Sequence, residues 1–310
     1  MRALIYLPFG LSFAFLGLSR LVCRRVSPRP AAWSITVAMV LLAGSSVGAL
    51  GLLAWPLAAR IPAIASAGRW RPDAVNHRVP VPISVSMGAT LALVAVGGLV
   101  LNRLRGLWRQ FAETSRLHAA LVSTGGEGLA VLDDPVPAAH ALPPTLAHCG
   151  RILVSTGLIE ALDNEERAAA LAHERAHLSH RHYLFVLVGA LASAMNPLLG
   201  FARGDVSFAL ERWADEDAAS RTSRTVTARA LAKAAVARLS RLHAGVVPGV
   251  AMQLAQLGVV QRVAALLEPQ ERPARRGLAW VITGLALVGT AAVAWSVHDT
   301  ERIFEVLQAR

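Results

Sequence analysis

Four stretches of this chain are long and uncharged enough to cross a bilayer, and no other feature limits its possible folds so strongly. A helix rising 1.5 Å per residue needs about 20 apolar residues to span the ~30 Å hydrocarbon core. Ala3–Val22, Ser34–Trp55, Ile83–Leu101 and Leu278–Val297 meet that length, with Arg20 the one charge among them. The first stretch lacks a small-x-small cleavage site and runs into Cys23-Arg24-Arg25, so it reads as a retained span rather than a signal peptide. Composition agrees: 54% of residues are hydrophobic and 16% charged, with a mean hydropathy of +0.47. A soluble domain carries about 25% charged residues.

The formal net charge of +11 is almost wholly arginine, since Lys233 is the only lysine. Arg20, Arg24, Arg25 and Arg29 follow the first span, Arg103, Arg105, Arg109 and Arg116 follow the third, and Arg272, Arg275 and Arg276 precede the fourth. Tight clusters on those flanks predict an outside N-terminus and a cytoplasmic middle region, in a multi-pass protein of the cell membrane. Arg60, Arg69, Arg71 and Arg78 fall on the predicted outer side, but they are spread out. A pI near 11.3 also raises nucleic acid as a partner. No aromatic-interleaved basic stripe or reading motif accompanies it, so none is expected. Two cysteines, Cys23 and Cys149, exclude a disulfide framework and are compatible with a reduced cytosolic face. His148 beside Cys149 raises a second metal site, but with no CxxC partner Cys149 reads as an ordinary buried thiol.

The expected organisation is three spans within 1–102 (about 3–22, 34–55 and 83–101), a folded domain over 103–277, a fourth span over 278–297 and a tail over 298–310. In the domain, Gly128–Leu132 is a short apolar run ended by Asp133-Asp134-Pro135, and Ile152–Val154 is a second one beyond the Pro143-Pro144 break. Both read as strands. The pattern beyond them is helical: a short helix over Leu158–Leu162, then a longer one opened by a capping box, with Asp163 as N-cap and Glu166 three residues on. Two further Ala/Leu/Val-rich helices are expected around Thr225–His243 and Pro248–Leu267.

The helix opened by Asp163 carries His173-Glu174-Arg175-Ala176-His177. Residues four apart share a helix face, so both imidazoles can reach one metal, with Glu174 placed to polarise a water beside it. Catalytic zinc takes three protein ligands, so a third must come from elsewhere. Downstream, Glu211 and Asp215 are also four apart within Glu211-Arg212-Trp213-Ala214-Asp215-Glu216-Asp217. One can ligate while the other accepts a hydrogen bond from the free nitrogen of a ligand histidine. Glu211 must then share a side of the membrane with His173 and His177. Tyr183–Ala202, uncharged and interrupted by Asn196-Pro197, therefore cannot be a simple span. Its continuous helix of about 14 residues covers only roughly 21 Å, so it is read as buried in the domain or dipping into the inner leaflet. His180 and His182, close behind the motif, read as hydrogen-bonded or solvated rather than as ligands. His243, or an arginine near it, is a candidate for steadying an oxyanion.

Leu171-Ala172-His173-Glu174-Arg175-Ala176-His177-Leu178, preceded by Ser155-Thr156-Gly157-Leu158 and followed by Glu211-Arg212-Trp213-Ala214-Asp215, resembles the integral-membrane gluzincin metallopeptidases. The BlaR/MecR type, metallopeptidase family fifty-six, looks closest, and the Ste24/HtpX-like branch shares the core motifs. BlaR/MecR-type proteins place three spans before a cytoplasmic zinc-protease domain and a fourth after it, the plan inferred above. The resemblance implies a mainly α membrane protein of four transmembrane helices with an inserted α+β domain, a small sheet plus helices. It implies Zn2+ bound by His173, His177 and Glu211, Glu174 as catalytic base and Asp215 as support for a ligand histidine. The strand near Ile152–Val154 would lie beside the cleft and pair with substrate as edge strands do. Only about 13 residues follow Val297, which leaves no room for a β-lactam sensor, so antibiotic sensing is not carried over.

The expected activity is zinc-dependent endopeptidase hydrolysis of a protein or peptide substrate, a regulator or a membrane protein, beside the lipid bilayer. The alternatives are an HtpX-like quality-control protease and a non-catalytic membrane signalling protein that keeps the fold. The sequence leaves the oligomeric state open.

Overall fold

The computed structural model describes residues 4–68, 81–122, 128–242, 250–268 and 276–308. Its helices are α1 (Leu7–Arg25), α2 (Pro28–Ala58), α3 (Pro62–Gly68) and α4 (Ile83–Val122) before the sheet. Strands β1 (Leu129–Leu132), β2 (Ala139–Leu142) and β3 (Arg151–Ser155) follow. After them come α5 (Thr156–Ala161), α6 (Asn164–Ser179), α7 (His182–Met195), a 3-10 turn over Pro197–Ala202, α8 (Arg203–Arg221), α9 (Arg224–Leu242), α10 (Val250–Leu267) and α11 (Arg276–Gln308). The protein is thus mainly helical, with a three-stranded sheet and four helices long and apolar enough to cross a membrane among the described residues. Those four are α1, α2, α4 and α11, which fits a multi-pass membrane protein.

Helix α2 is the hub of the bundle, packed against α1, α4, α7, α8 and α11. Ala31, Ala32, Ala38, Ala43, Ser45, Ser46 and Ala49 are buried along it. Small side chains let helices approach closely where no hydrophobic drive favours one apolar neighbour over another. Three of the spans, α2, α4 and α11, outrun the apolar stretches that mark them, α4 by the most. No helix breaker beyond Gly106 follows Leu101, so α4 continues for 40 residues to Val122, about 60 Å in all. Near its end His118 is fully buried, its Nε2 2.9 Å from the Pro143 carbonyl oxygen and its ring stacked on His148. The rod thereby grips the loop that leads into β3.

The sheet order is β1-β3-β2, with β1 parallel and β2 antiparallel to β3. β3 is therefore central and paired on both sides, so the expected edge role for Ile152–Val154 is overturned; the edge strands are β1 and β2, and β2 is the one that borders the cleft. Ala139–Leu142 carries no β-branched or aromatic residue and lies between Pro137 and Pro143, so propensity gives it no strand signal. Pairing with β3 makes it one. Ser155 Oγ steers the chain into it, accepting from Ala138 N–H at 2.8 Å while also capping α5 through Leu158 N–H. Gly157 lies against this turn so closely that a Cβ there would collide with the Pro135 carbonyl oxygen.

Helix α6 opens with both halves of its capping box formed, Glu166 N–H to Asp163 Oδ1 and Asp163 N–H to Glu166 Oε2. Buried Glu166 is also held by Lys233 and Arg229 of α9. Arg224 at the start of α9 joins Glu216 of α8 to the last carbonyls of α10, Ala265 and Leu266. Helix α7 departs from α6 through Arg181, which adopts the left-handed region at φ 52°. It runs between α2 and α4 and stops at Asn196, whose Nδ2 donates to Ser12 Oγ of α1 and Ser46 Oγ of α2, both at 2.9 Å. The chain then turns back as the 3-10 segment and α8. The hairpin enters the bundle and returns, which brings α8 back beside α6. A single apolar cluster, including Phe15, Met39, Leu42, Phe185, Leu199, Leu210, Trp213 and Ile282, joins this hairpin to the spans.

Candidate metal centre

Helices α6 and α8 pack side by side and turn four of the expected residues toward one another. His173 Nε2 and His177 Nε2 are 3.1 Å apart. Glu211 Oε2 lies 3.5 Å from the first and its Oε1 3.6 Å from the second. His173, His177 and Glu211 form the one group of three or more potential metal ligands found among the described residues. Tetrahedral zinc with bonds of about 2.0–2.1 Å sets its ligand atoms about 3.3 Å apart, so these spacings and this mix of imidazole and carboxylate fit zinc.

Asp215, one turn beyond Glu211 and 3% exposed, accepts from His173 Nδ1–H at 3.0 Å. That bond fixes the ring and leaves Nε2 free to face the ligand group. Arg262 of α10 donates from Nε and Nη2 to both Asp215 oxygens at 2.7 Å and sits 2.8 Å from Glu211 through Nη1. No sequence pattern marked Arg262 among many arginines. Its only signal was a charge in an Ala/Val/Leu-rich helix, where a buried guanidinium must find a carboxylate. His182 was also missed as a site residue. It is 2% exposed, and its Nδ1 lies 2.9 Å from His177 Nδ1. A histidine leading an apolar helix was the available signal, since buried polar groups are almost always bonded.

Burial alone would raise the Asp215 carboxyl, but the Arg262 and His173 bonds outweigh it and hold it at about 2. Burial would likewise raise Glu211, which the His173 bond and the Arg262 charge bring to about 2. Both carboxylates are ionised at neutral pH. Burial and the adjacent His173 push His177 down to about 4, so it is neutral there. Burial opposes protonation of His173 as well, but its bonds to Asp215 and Glu211 prevail and lift it to about 9. An incoming cation must displace that one proton.

Glu174 shares α6 with His173 and His177 and faces β2 at His140 and Ala141. Burial pushes its carboxyl above the ordinary glutamate range; His173 and a hydrogen bond from Ala141 N–H oppose that, and Glu211 reinforces it. The Ser155 N–H to Ala138 carbonyl bond puts residues 138, 140 and 142 in bonded register with β3. In an antiparallel pair the alternate residues then point their N–H and C=O groups outward, here Ala139 and Ala141. These groups border a cleft of 920 Å³ that also reaches Tyr183, Val186, Leu231 and Arg238.

Among the described residues, the other histidines do not join the group. His180 Nε2 lies 3.4 Å from Asp217 and its ring stacks on Trp213. His148 stacks on His118, and Cys149 is exposed rather than buried, because its loop lies outside the sheet's core. His243 lies outside the described residues.

No solved structure matches the chain. The family model of peptidase family M48 matches residues 115–247. The matched segment holds the sheet and α5 to α9, and with them both ligand helices, Glu174 and Asp215; it ends before Arg262. Over the part that builds its site, the chain is similar to the metal-dependent peptidases of family M48, and a metallopeptidase is what that similarity supports.

Proposed function

We propose that this protein is a membrane-embedded zinc endopeptidase that hydrolyses peptide bonds of protein substrates. The observation that carries the reading is the convergence of His173, His177 and Glu211 next to Glu174, in a cleft bordered by a free strand edge. His173, His177 and Glu211 would hold the ion, which supplies Lewis-acid polarisation of a water and of the scissile carbonyl. An extended substrate segment pairs with the outward groups that β2 leaves open, the N–H and C=O of Ala139 and the C=O of Ala141, which lays its backbone across the cleft. Glu174, its carboxyl raised by burial, takes the proton of the attacking water and returns it to the departing amine. Asp215 keeps the His173 ring aligned, and Arg262 keeps Asp215 ionised.

The arginine clusters support a cytoplasmic site in the cell membrane. Exposed Cys149 reports on this directly: in intact cells an impermeant maleimide should spare it, and labelling from outside would reverse the orientation. The similarity to family M48 leaves the BlaR/MecR-type and HtpX-like readings as alternatives within one chemistry, separated by substrate. Comparing cellular protein termini between wild type and Glu174→Gln tests the activity and names the substrate together. A non-catalytic signalling protein predicts no difference between them, and purified protein without stoichiometric zinc.

A further inference from the structure

We infer that His182 is a positioning residue for the metal: its ring fixes His177 in the tautomer that leaves Nε2 free to ligate. The inference rests on the reading of His173, His177 and Glu211 as a zinc site. His182 is the first residue of α7, placed against α6 by the left-handed turn at Arg181. Its ring is wedged among His177, Trp213 and Phe185, at centroid distances of 4.8, 4.9 and 6.4 Å.

The two Nδ1 atoms lie 2.9 Å apart, so one donates and the other accepts. Were His177 the acceptor, its proton would sit on Nε2, which faces His173 Nε2 and Glu211. That tautomer cannot ligate. His177 Nδ1–H therefore donates, His182 Nδ1 accepts, and the His182 proton lies on Nε2. That Nε2 is buried and has no hydrogen-bond partner. An unmade bond in an apolar pocket costs stability, and an apolar side chain would fill the same slot without it. The lone acceptor toward His177 is what the imidazole offers in return. The two ligand rings are thus held by unlike partners, His173 by the Asp215 carboxylate and His177 by an imidazole.

The test uses the full chain in detergent, with zinc affinity read by competition against a chromophoric chelator and site geometry by the visible spectrum of the Co2+-loaded protein. His182→Phe should lower zinc affinity about ten- to hundredfold and alter the Co2+ bands. His182→Asn, whose amide oxygen can accept from Nδ1–H, should recover part of the loss. Unchanged affinity and spectrum in His182→Phe overturn the inference. Nitrogen NMR of the histidine-labelled, zinc-loaded wild type gives an answer that needs no variant. Protons on His177 Nδ1 and His182 Nε2 support the proposal, and a proton on His182 Nδ1 overturns it. A wild-type chain that takes up no zinc overturns the peptidase reading itself, and this inference with it.

Discussion

Helix α7 ends in two buried polar clusters of opposite character. At Asn196 every polar side-chain atom is matched: Nδ2 donates to Ser12 and Ser46, whose hydroxyls donate onward to the Pro8 and Leu42 carbonyls, and Oδ1 accepts from Leu198 N–H. Beside His182, the His173 and His177 rings turn two Nε2 atoms toward the Glu211 carboxylate, an arrangement that could hold a metal ion. A closed cluster needs nothing further and holds helices together. A convergent, incomplete one is built for a ligand. Polar burial on its own does not distinguish structure from function; the balance of donors and acceptors does.

The largest effect expected from breaking this contrast is on chemistry alone. Glu174→Gln should lower peptidase turnover about a thousandfold or more, with zinc content and thermal midpoint unchanged. A variant that also lost zinc would make Glu174 part of the ligand scaffold rather than the base. Next comes Arg262→Met, which leaves Asp215 buried with one partner fewer. Loss of about 3–5 kcal/mol in denaturant or thermal unfolding is expected, because the open cluster depends on charge pairing.

Acid should reveal the same dependence. The folded Asp215 carboxyl is lowered from 3.8 to about 2, so its contribution is complete above the unfolded value and is lost as pH falls through the folded one. In the metal-free protein about 2 kcal/mol of stability should disappear between pH ~4 and ~2. Asp215→Asn should make that limb shallower and leave the share of Glu211, whose carboxyl is also lowered to about 2; an unchanged limb would assign it to other groups.

The closed cluster should respond more mildly. Asn196→Leu removes two shared hydrogen bonds but leaves each serine bonded to its own helix, for an expected cost of about 1–2 kcal/mol. Ser12→Ala should cost about 0.6 kcal/mol, as intramembrane hydrogen bonds do on average. Neither should alter zinc affinity. Weakened zinc binding in Asn196→Leu would show that α7 transmits strain between its ends and that the clusters are not separate.

Much of this was legible from residue order. Hydropathy marked all four spans, the capping box placed the start of α6, and helical spacing put His173 with His177 and Glu211 with Asp215. The break at Asn196-Pro197 marks where α7 stops and the chain turns back. What escaped had no local signature. β2 lacks strand propensity, so the assignment of the free edge to β3 failed. Arg262 resembles the other arginines, and the reading of His182 as hydrogen-bonded or solvated does not name His177 as its partner.

The sequence by itself determined the periodic and local properties: which helices are apolar throughout, which side chains share a face, and which residue types can bind a metal. These follow from rise per residue, side-chain direction and donor chemistry, all short-range. Only the tertiary structure decided which partners close each valence. It paired β2 with β3, carried Arg262 to Asp215 from a helix far along the chain, and turned Arg181 so that His182 meets His177. Those contacts depend on packing between elements, which no spacing along the chain encodes.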